Sequence, residues 1–234
     1  SSREGSKTSG LQTYDDLHAD VLHWVRKGWV DYIVPQIYWN IGHQAADYAE
    51  LTHWWGKHTP QKKAQLYIGQ HAARTMDSGQ LEEKLALSRQ NSSGNSWWSG
   101  EDLVKNYKGL GDSLITSYQT YRALLPEVHG ALGKTKAPAA ISLILEDTNE
   151  DGHMILWDDY REPSDPETAF YYAVYAFPEG TRPDISDVRY LMSISTNPYF
   201  ILPSMERGTT YRYMVTAINR FWQESKPASI RISY

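Results

Sequence analysis

Side chains able to do chemistry fall into short groups along the first half of the chain: Gln36, Tyr38 and Trp39, then Gln70 and His71, then Trp97 and Trp98 with Glu101. Gln36 donates and accepts through one amide, which suits a pair of sugar hydroxyls. Tyr38 and Trp39 offer flat apolar faces with a polar edge, a surface that packs on the C–H face of a pyranose. His71, with an unperturbed pKa near 6.5, is a hydrogen-bond donor or a general acid or base. Glu101 is the carboxylate that follows the last group. Buried aromatic residues also simply pack, and a loop histidine with no carboxylate partner in view also serves structure. At the level of residue type both readings stand.

Other chemistries are excluded or weak. His53 and His58 lack the H-E-x-x-H pattern of a metal-binding helix and are expected to face solvent. No GxSxG elbow, P-loop or dinucleotide fingerprint occurs, and GLGDS at 109–113 is too short to count. The carboxylate pairs Asp15-Asp16, Glu82-Glu83 and Asp158-Asp159 are expected at helix starts or turns, where solvation and the helix dipole account for them. The chain has no Cys, which removes disulfides, thiolate nucleophiles and zinc–thiolate sites together. No metal or cofactor is expected. The 23 basic and 28 acidic side chains, net charge -5, give no electrostatic reason for a nucleic-acid or anionic-membrane partner. No apolar run approaches the roughly 20 residues of a membrane span. The opening SSREGSKTSG is polar, with no apolar core of the kind a signal peptide carries. Nine Trp and 17 Tyr stand against 4 Phe, a bias toward aromatics with a polar edge, as half-wet surfaces use.

The elements that must position these groups alternate between helix and strand. Thr13 and Asp16 resemble a capping box, with Leu17, Val21, Trp24 and Val25 at helical spacing after them and Lys27-Gly28 closing the helix. WVDYIVPQIYW, residues 29–39, is apolar through its middle and fits a strand buried on both faces, its pairing weakened at Pro35. A helix over about 44–57 leads to Pro60 and the Lys62-Lys63 pair, then to a short strand at 64–70. Ser78 is placed to cap a helix reaching about 90. Residues 96–99 read as a third strand, and a last helix is expected over about 111–121. Strands separated by helices point to right-handed βαβ units and a parallel sheet.

The pattern changes after Pro126. HGALGKTKAPAA reads as a linker, so the chain divides at 1–126, 127–139 and 140–234. From 140 onward SLILED, HMILWDD, FYYAVYAF, YRYMVTAIN and ASIRISY are short alternating segments between turns, the signature of an all-β sandwich.

YDDLHADVLHWVRKGWVDYIVPQIYW, followed by GHQAADYAELTHWW and LYIGQ, resembles the bacterial glycosyl-hydrolase-like 10 proteins. The likeness continues more loosely through GNSWWSGEDLVKNYKGLGDSL and covers about 10–126. It implies an α/β fold, a partial (β/α)8 (TIM) barrel whose last three β/α units these would be. The second half resembles a fibronectin type III-like domain, with Trp157 as a core tryptophan and Tyr211 as the tyrosine-corner residue.

In such barrels functional groups sit at the C-terminal ends of strands. The resemblance therefore implies substrate binding by Gln36, Tyr38, Trp39, Gln70, His71, Trp97 and Trp98. Trp97 and Trp98 should point to opposite faces, so at most one lines a cleft. The implied chemistry is hydrolysis of a polysaccharide or cell-wall glycan, which normally needs two flanking carboxyl groups. The family's acidic motif, D-G-x-x-x-D-D-Y, has no counterpart here, so the acids are expected upstream and this chain is expected to be inactive alone. The alternative is a non-catalytic carbohydrate-binding or protein-interaction module. Open sheet edges and an exposed apolar face are expected on the first part, with association through those edges. By resemblance the setting is extracellular or the cell envelope.

Overall fold

The computed structural model describes residues 5–60, 63–128, 135–142, 144–149, 152–159 and 161–234. Lys62 and the stretch 129–134 of the expected linker lie outside them. The chain divides into two units, one formed mainly by the residues up to 120, the other by 121–127 together with the residues from 135 onward.

The first unit is a three-stranded parallel sheet with helices. Its strands are β1 (Tyr32–Ile33), β2 (Gln65–His71) and β3 (Gly94–Trp98), in the order β1-β2-β3. The helices are α1 (Val21–Lys27), α2 (Tyr48–His58), α3 (Ala72–Asp77), α4 (Leu81–Asn91), α5 (Gly100–Val104) and α6 (Leu110–Ser113), the last running into a π-helical turn over Leu114–Tyr118.

Local chemistry moves several boundaries from where the sequence put them. Asp16 accepts from the Gln12 amide at 2.7 Å, behind it in the chain, so no helix starts there. α1 begins instead after Asp20, whose carboxylate accepts from the His23 amide, and ends at Gly28 with φ 68° as expected. α2 begins after Asp47, which takes both the Ala49 and Glu50 amides. Ser78 does not start a helix. It ends α3, a helix that begins directly after β2, and α4 follows the turn at Gly79.

The run at 29–39 is not buried on both faces. Its regular ladder is two residues long, because Pro35 has no N–H to give. The parallel course continues past it all the same, since the Gly69 amide donates to Pro35 O and the Ile37 amide to Gly69 O, both at 2.9 Å. Ile33 and Ile37 are buried, whereas Trp29 and Tyr32 are 66% and 61% exposed. One face of the sheet is sealed with Leu66 and Ile68 against Val25 of α1 and Tyr48 of α2. A second cluster joins Ala72, Leu81, Leu85, Leu110 and Leu114 to Trp97. Burying each such aliphatic side chain stabilises by about 1.5–3 kcal/mol.

The second unit is all-β and antiparallel. β4 (Ile144–Asn149), β5 (Gly152–Trp157) and β8 (Tyr199–Ile201) form one sheet in the order β4-β5-β8. β6 (Tyr171–Pro178), β7 (Leu191–Ser195), β9 (Thr210–Ile218) and β10 (Ala228–Ser233) form the other, in the order β10-β9-β6-β7. Ile155 and Trp157 from the first sheet meet Tyr172, Val174, Tyr213, Val215 and Ile232 from the second in one core. Trp157 sits edge-on to Tyr172 with ring centroids 5.3 Å apart, and is a core residue as its sequence position suggested. Tyr211 is half-buried against Tyr213 and Tyr234, and the hydroxyl pair at this corner is Tyr213 with Tyr234 at 2.6 Å. β7 and β8 lie outside the segments that stood out in the sequence.

The described ends of the expected linker are held by the second unit. Gln223 donates to the Glu127 carboxylate at 2.7 Å and to Thr135 O at 3.2 Å, while Asn219, fully buried, donates to Lys136 O at 2.9 Å. The Gly, Ala and Pro content gave no sign of this, because the partners are supplied some 80 to 100 positions away.

Lys84 of α4 is a buried cation, 1% exposed, its Nζ 3.4 Å from Thr75 Oγ1 and 4.9 Å from the centre of the Tyr48 ring. Desolvation draws its ammonium from the ordinary 10.5 down to about 8. Between those values the unfolded chain holds more protons than the folded one, so this residue makes stability rise with pH there. Below pH 8 the cost of burying the charge is present in full. Lys84→Met is expected to stabilise the chain at pH 7 by about 2 kcal/mol and to flatten the rise toward pH 10, as read by urea denaturation across pH.

Candidate functional site

Side chains alternate along a strand, and partners across a parallel ladder share a face. With Ile33, Leu66 and Ile68 committed to the helices, Tyr32, Tyr67, His71 and Trp98 take the other face, paired through Tyr67 with Gly94 and His71 with Trp98. This open face is aromatic. Tyr32 meets Tyr67 edge-on at 6.1 Å, and Tyr38 meets His71 edge-on at 5.6 Å. Trp98 is 62% exposed at its outer edge. Gln36 is exposed and bridges to Gly69. Gly69 is required at that point: a Cβ there would stand 2.9 Å from Pro35 O, which would push the strands apart.

His71 is oriented by the backbone. It is the N-cap of α3, and its Nδ1 accepts from the Arg74 amide at 3.5 Å. An accepting Nδ1 leaves the ring proton on Nε2, available as a donor. Trp39 is 37% exposed and lies 6.2 Å from the His43 ring. Burial raises the pKa of Tyr38, and burial followed by the neighbouring Tyr32 raises that of Tyr67, so both hydroxyls keep their protons at neutral pH.

Two of the sequence candidates are not brought to this face. Gln70 is fully buried on the helix side and donates from Nε2 to Asn95 Oδ1. Trp97, its ladder partner, packs under the helices with Leu81, Leu85, Leu110 and Leu114. The reason is parity: His71 and Trp98 face outward, so the residues before them cannot. Glu101 is on α5, 68% exposed, and paired with Lys105 at 2.5 Å. His58 stacks on Trp54 of its own helix, with Nδ1 2.7 Å from Trp54 O. Among the described residues no cluster of three His, Cys, Asp or Glu is arranged to hold a metal ion.

Asp77 escaped the sequence reading. Its carboxylate accepts from Lys108 Nζ at 2.6 Å and from the Tyr107 hydroxyl at 3.0 Å. The Lys108 and Tyr107 hydrogen bonds hold its pKa below the ordinary carboxylate range. No spacing rule could have found it, because its partners lie in a separate turn after α5.

The geometry is that of an α/β unit with one helix-sealed and one aromatic sheet face, followed in the chain by a β-sandwich. Residues 5–85 match the family model described as glycosyl hydrolase-like 10. Glycosyl hydrolase YngK of Bacillus subtilis (strain 168) is 31% identical over 237 aligned positions, covering 95% of this chain and 45% of that protein. Glycosyl hydrolase DigH of Escherichia coli (strain K12) is 45% identical over 65 positions, 28% of this chain and 15% of that protein. The chain thus spans less than half the length of the curated relatives it matches. A crystal structure of the rat CD45 extracellular region, domains d3-d4, aligns at TM-score 0.32 and 13% identity over 43% of this chain and 52% of that one. The likeness to glycosyl hydrolase-like 10 proteins thus falls within the first unit.

The two faces should separate in stability. Trp97→Ala is expected to cost about 3 kcal/mol, as a large side chain lost from a packed cluster does. Trp98→Ala is expected to stay within about 0.5 kcal/mol of wild type. Denaturant midpoints of the two variants make the comparison.

Proposed function

We propose that this chain provides part of the substrate cleft of a glycoside hydrolase acting on a polysaccharide or cell-wall glycan. The observation that carries the reading is the open sheet face, where Tyr32, Tyr67, Tyr38, His71 and Trp98 stand beside the exposed amide of Gln36. Aromatic platforms with neutral donors between them match a pyranose, which is apolar on its ring faces and hydroxylated at its rim. The relatives' names as glycosyl hydrolases favour the same substrate class. In this reading Gln36, Tyr38, Trp39, His71 and Trp98 touch substrate, while Gln70 and Trp97 support them from beneath.

The three β/α units are, in the same proposal, the closing part of a (β/α)8 barrel, continued at the edges of β1 and β3 by strands that carry the catalytic acids. The second unit is read as a fibronectin type III-like sandwich, a reading favoured by its three-and-four strand arrangement and by Trp157 in the core. A location outside the cell or in its envelope follows from the substrate class.

A carbohydrate-binding role without cleavage is the second reading. It is favoured by the state of the nearby acids, Glu101 being paired with Lys105 and Asp77 with Lys108. Glycan hydrolysis needs one carboxyl to protonate the leaving oxygen and another to attack or activate water.

The test is calorimetric titration with a hexasaccharide of β-1,4-linked N-acetylglucosamine, together with a reducing-end assay on isolated peptidoglycan. The chain is expected to bind without releasing reducing ends. Tyr38→Ala and Trp98→Ala are each expected to weaken binding about three- to tenfold. Turnover by the purified chain that disappears in Glu101→Gln would overturn the assignment of the acids to other strands.

A further inference from the structure

We propose that Gln80 is a positioning residue for Trp39, gripping the loop after β1 from the neighbouring β/α unit; the inference rests on the glycan reading above. Gln80 occupies the N-cap of α4, a position that favours Ser, Thr, Asp or Asn because their short side chains reach the helix's own amides. Gln80 makes no such bond. Its side chain is turned to Ile41 instead, where Oε1 accepts from the backbone amide at 2.9 Å and Nε2 donates to the backbone carbonyl at 3.3 Å. One amide thus satisfies both backbone groups of Ile41, as a neighbouring strand would. Gly79, at φ +69°, makes the turn that presents it.

The grip falls two residues beyond Trp39. The loop is closed further on by Asp47, which accepts from the Gly42 amide at 2.6 Å, and by His43, whose Nδ1 accepts from the Ala46 amide at 3.1 Å. Those bonds are local and fix the loop's shape. The Gln80 bonds span 39 positions and fix where that shape sits against the unit that carries His71. Trp39 itself is 37% exposed at the rim, with the His43 ring of the same loop 6.2 Å away. A mobile indole at the rim would lose entropy on binding sugar; an indole on a tethered loop has already lost part of it.

The experiment compares Gln80→Met, which keeps the length but loses both bonds, with Gln80→Glu, which keeps the acceptor and loses the donor at neutral pH. Two readouts are taken on the full chain: amide exchange at Ile41 and Gly42, and affinity for the N-acetylglucosamine hexasaccharide. Gln80→Met is expected to speed exchange at Ile41 and weaken binding about tenfold, with Gln80→Glu between it and wild type. Trp39→Ala should weaken binding comparably, and the double variant with Gln80→Met should be no weaker than Trp39→Ala alone. Gln80→Glu carries the test if Gln80→Met does not fold. Unchanged exchange at Ile41 overturns the grip. Losses that multiply in the double variant overturn its action through Trp39. A wild-type chain with no affinity for the hexasaccharide overturns the glycan reading, an outcome the exchange data separate from the other two.

Discussion

Packing of one sheet face against helices decides what the other face presents. Leu66 and Ile68 are buried with Ile33 and Ile37 against Val25 and Tyr48, and a strand's side chains repeat with period two. A slip of one residue would carry Tyr67 and His71 under the helices and leave Leu66 and Ile68 in water, so the hydrophobic contacts specify the register strongly. Gly69 makes that register possible at the point where β2 meets Pro35, since any larger residue would collide with the carbonyl that pairs with it. The aromatic face is therefore a consequence of core packing as much as of its own contacts. His71 and Trp98 stand side by side because Ile68 and Gln70 are committed beneath them.

Much of this was legible in the amino-acid order. The strands at 64–70 and 96–99 were readable because short apolar runs follow polar turns, and the switch to all-β pattern after Pro126 was plain. Parity was legible too, and it separated Trp97 from Trp98, although the same argument applied to Gln70 and His71 would have removed Gln70. The boundaries that moved did so through competing side chains. The capping box expected from Thr13 and Asp16 gives way to a cap at Asp20, whose carboxylate takes the His23 amide. Ser78 looks like a helix start until a helix precedes it. β7 and β8, the Asn219 and Gln223 bonds to residues 127–136 and the Gln80 bonds to Ile41 join positions far apart in the chain, and no local pattern encodes such pairs.

The buried Lys84 shows that these helices carry a cost within their own packing. An ammonium without a carboxylate partner among the described residues, held by Thr75 and the face of Tyr48, is stabilised only partly for its lost hydration. Its long stem nevertheless fills space between α2, α3 and α4. Shape and charge requirements conflict at this position, and the depressed pKa records the conflict.

Electrostatics also separates recognition from proton transfer in this part of the molecule. A general acid must keep its proton near neutral pH, which asks for desolvation or a like charge to raise its pKa. Asp77 experiences the reverse, because the Lys108 ammonium and the Tyr107 hydroxyl both favour the ionised carboxylate. Glu101 is exposed and paired with Lys105. Tyr38 and Tyr67 are pushed toward their neutral forms by burial, and His71 offers Nε2–H while its Nδ1 is taken by the helix. Neutral donors on aromatic platforms, with Glu101 and Asp77 each paired with a lysine, make a surface suited to the proposed sugar binding rather than to proton transfer. In the proposed barrel the catalytic acids would come from further strands, and the edges of β1 and β3 carry the backbone groups with which such strands would pair.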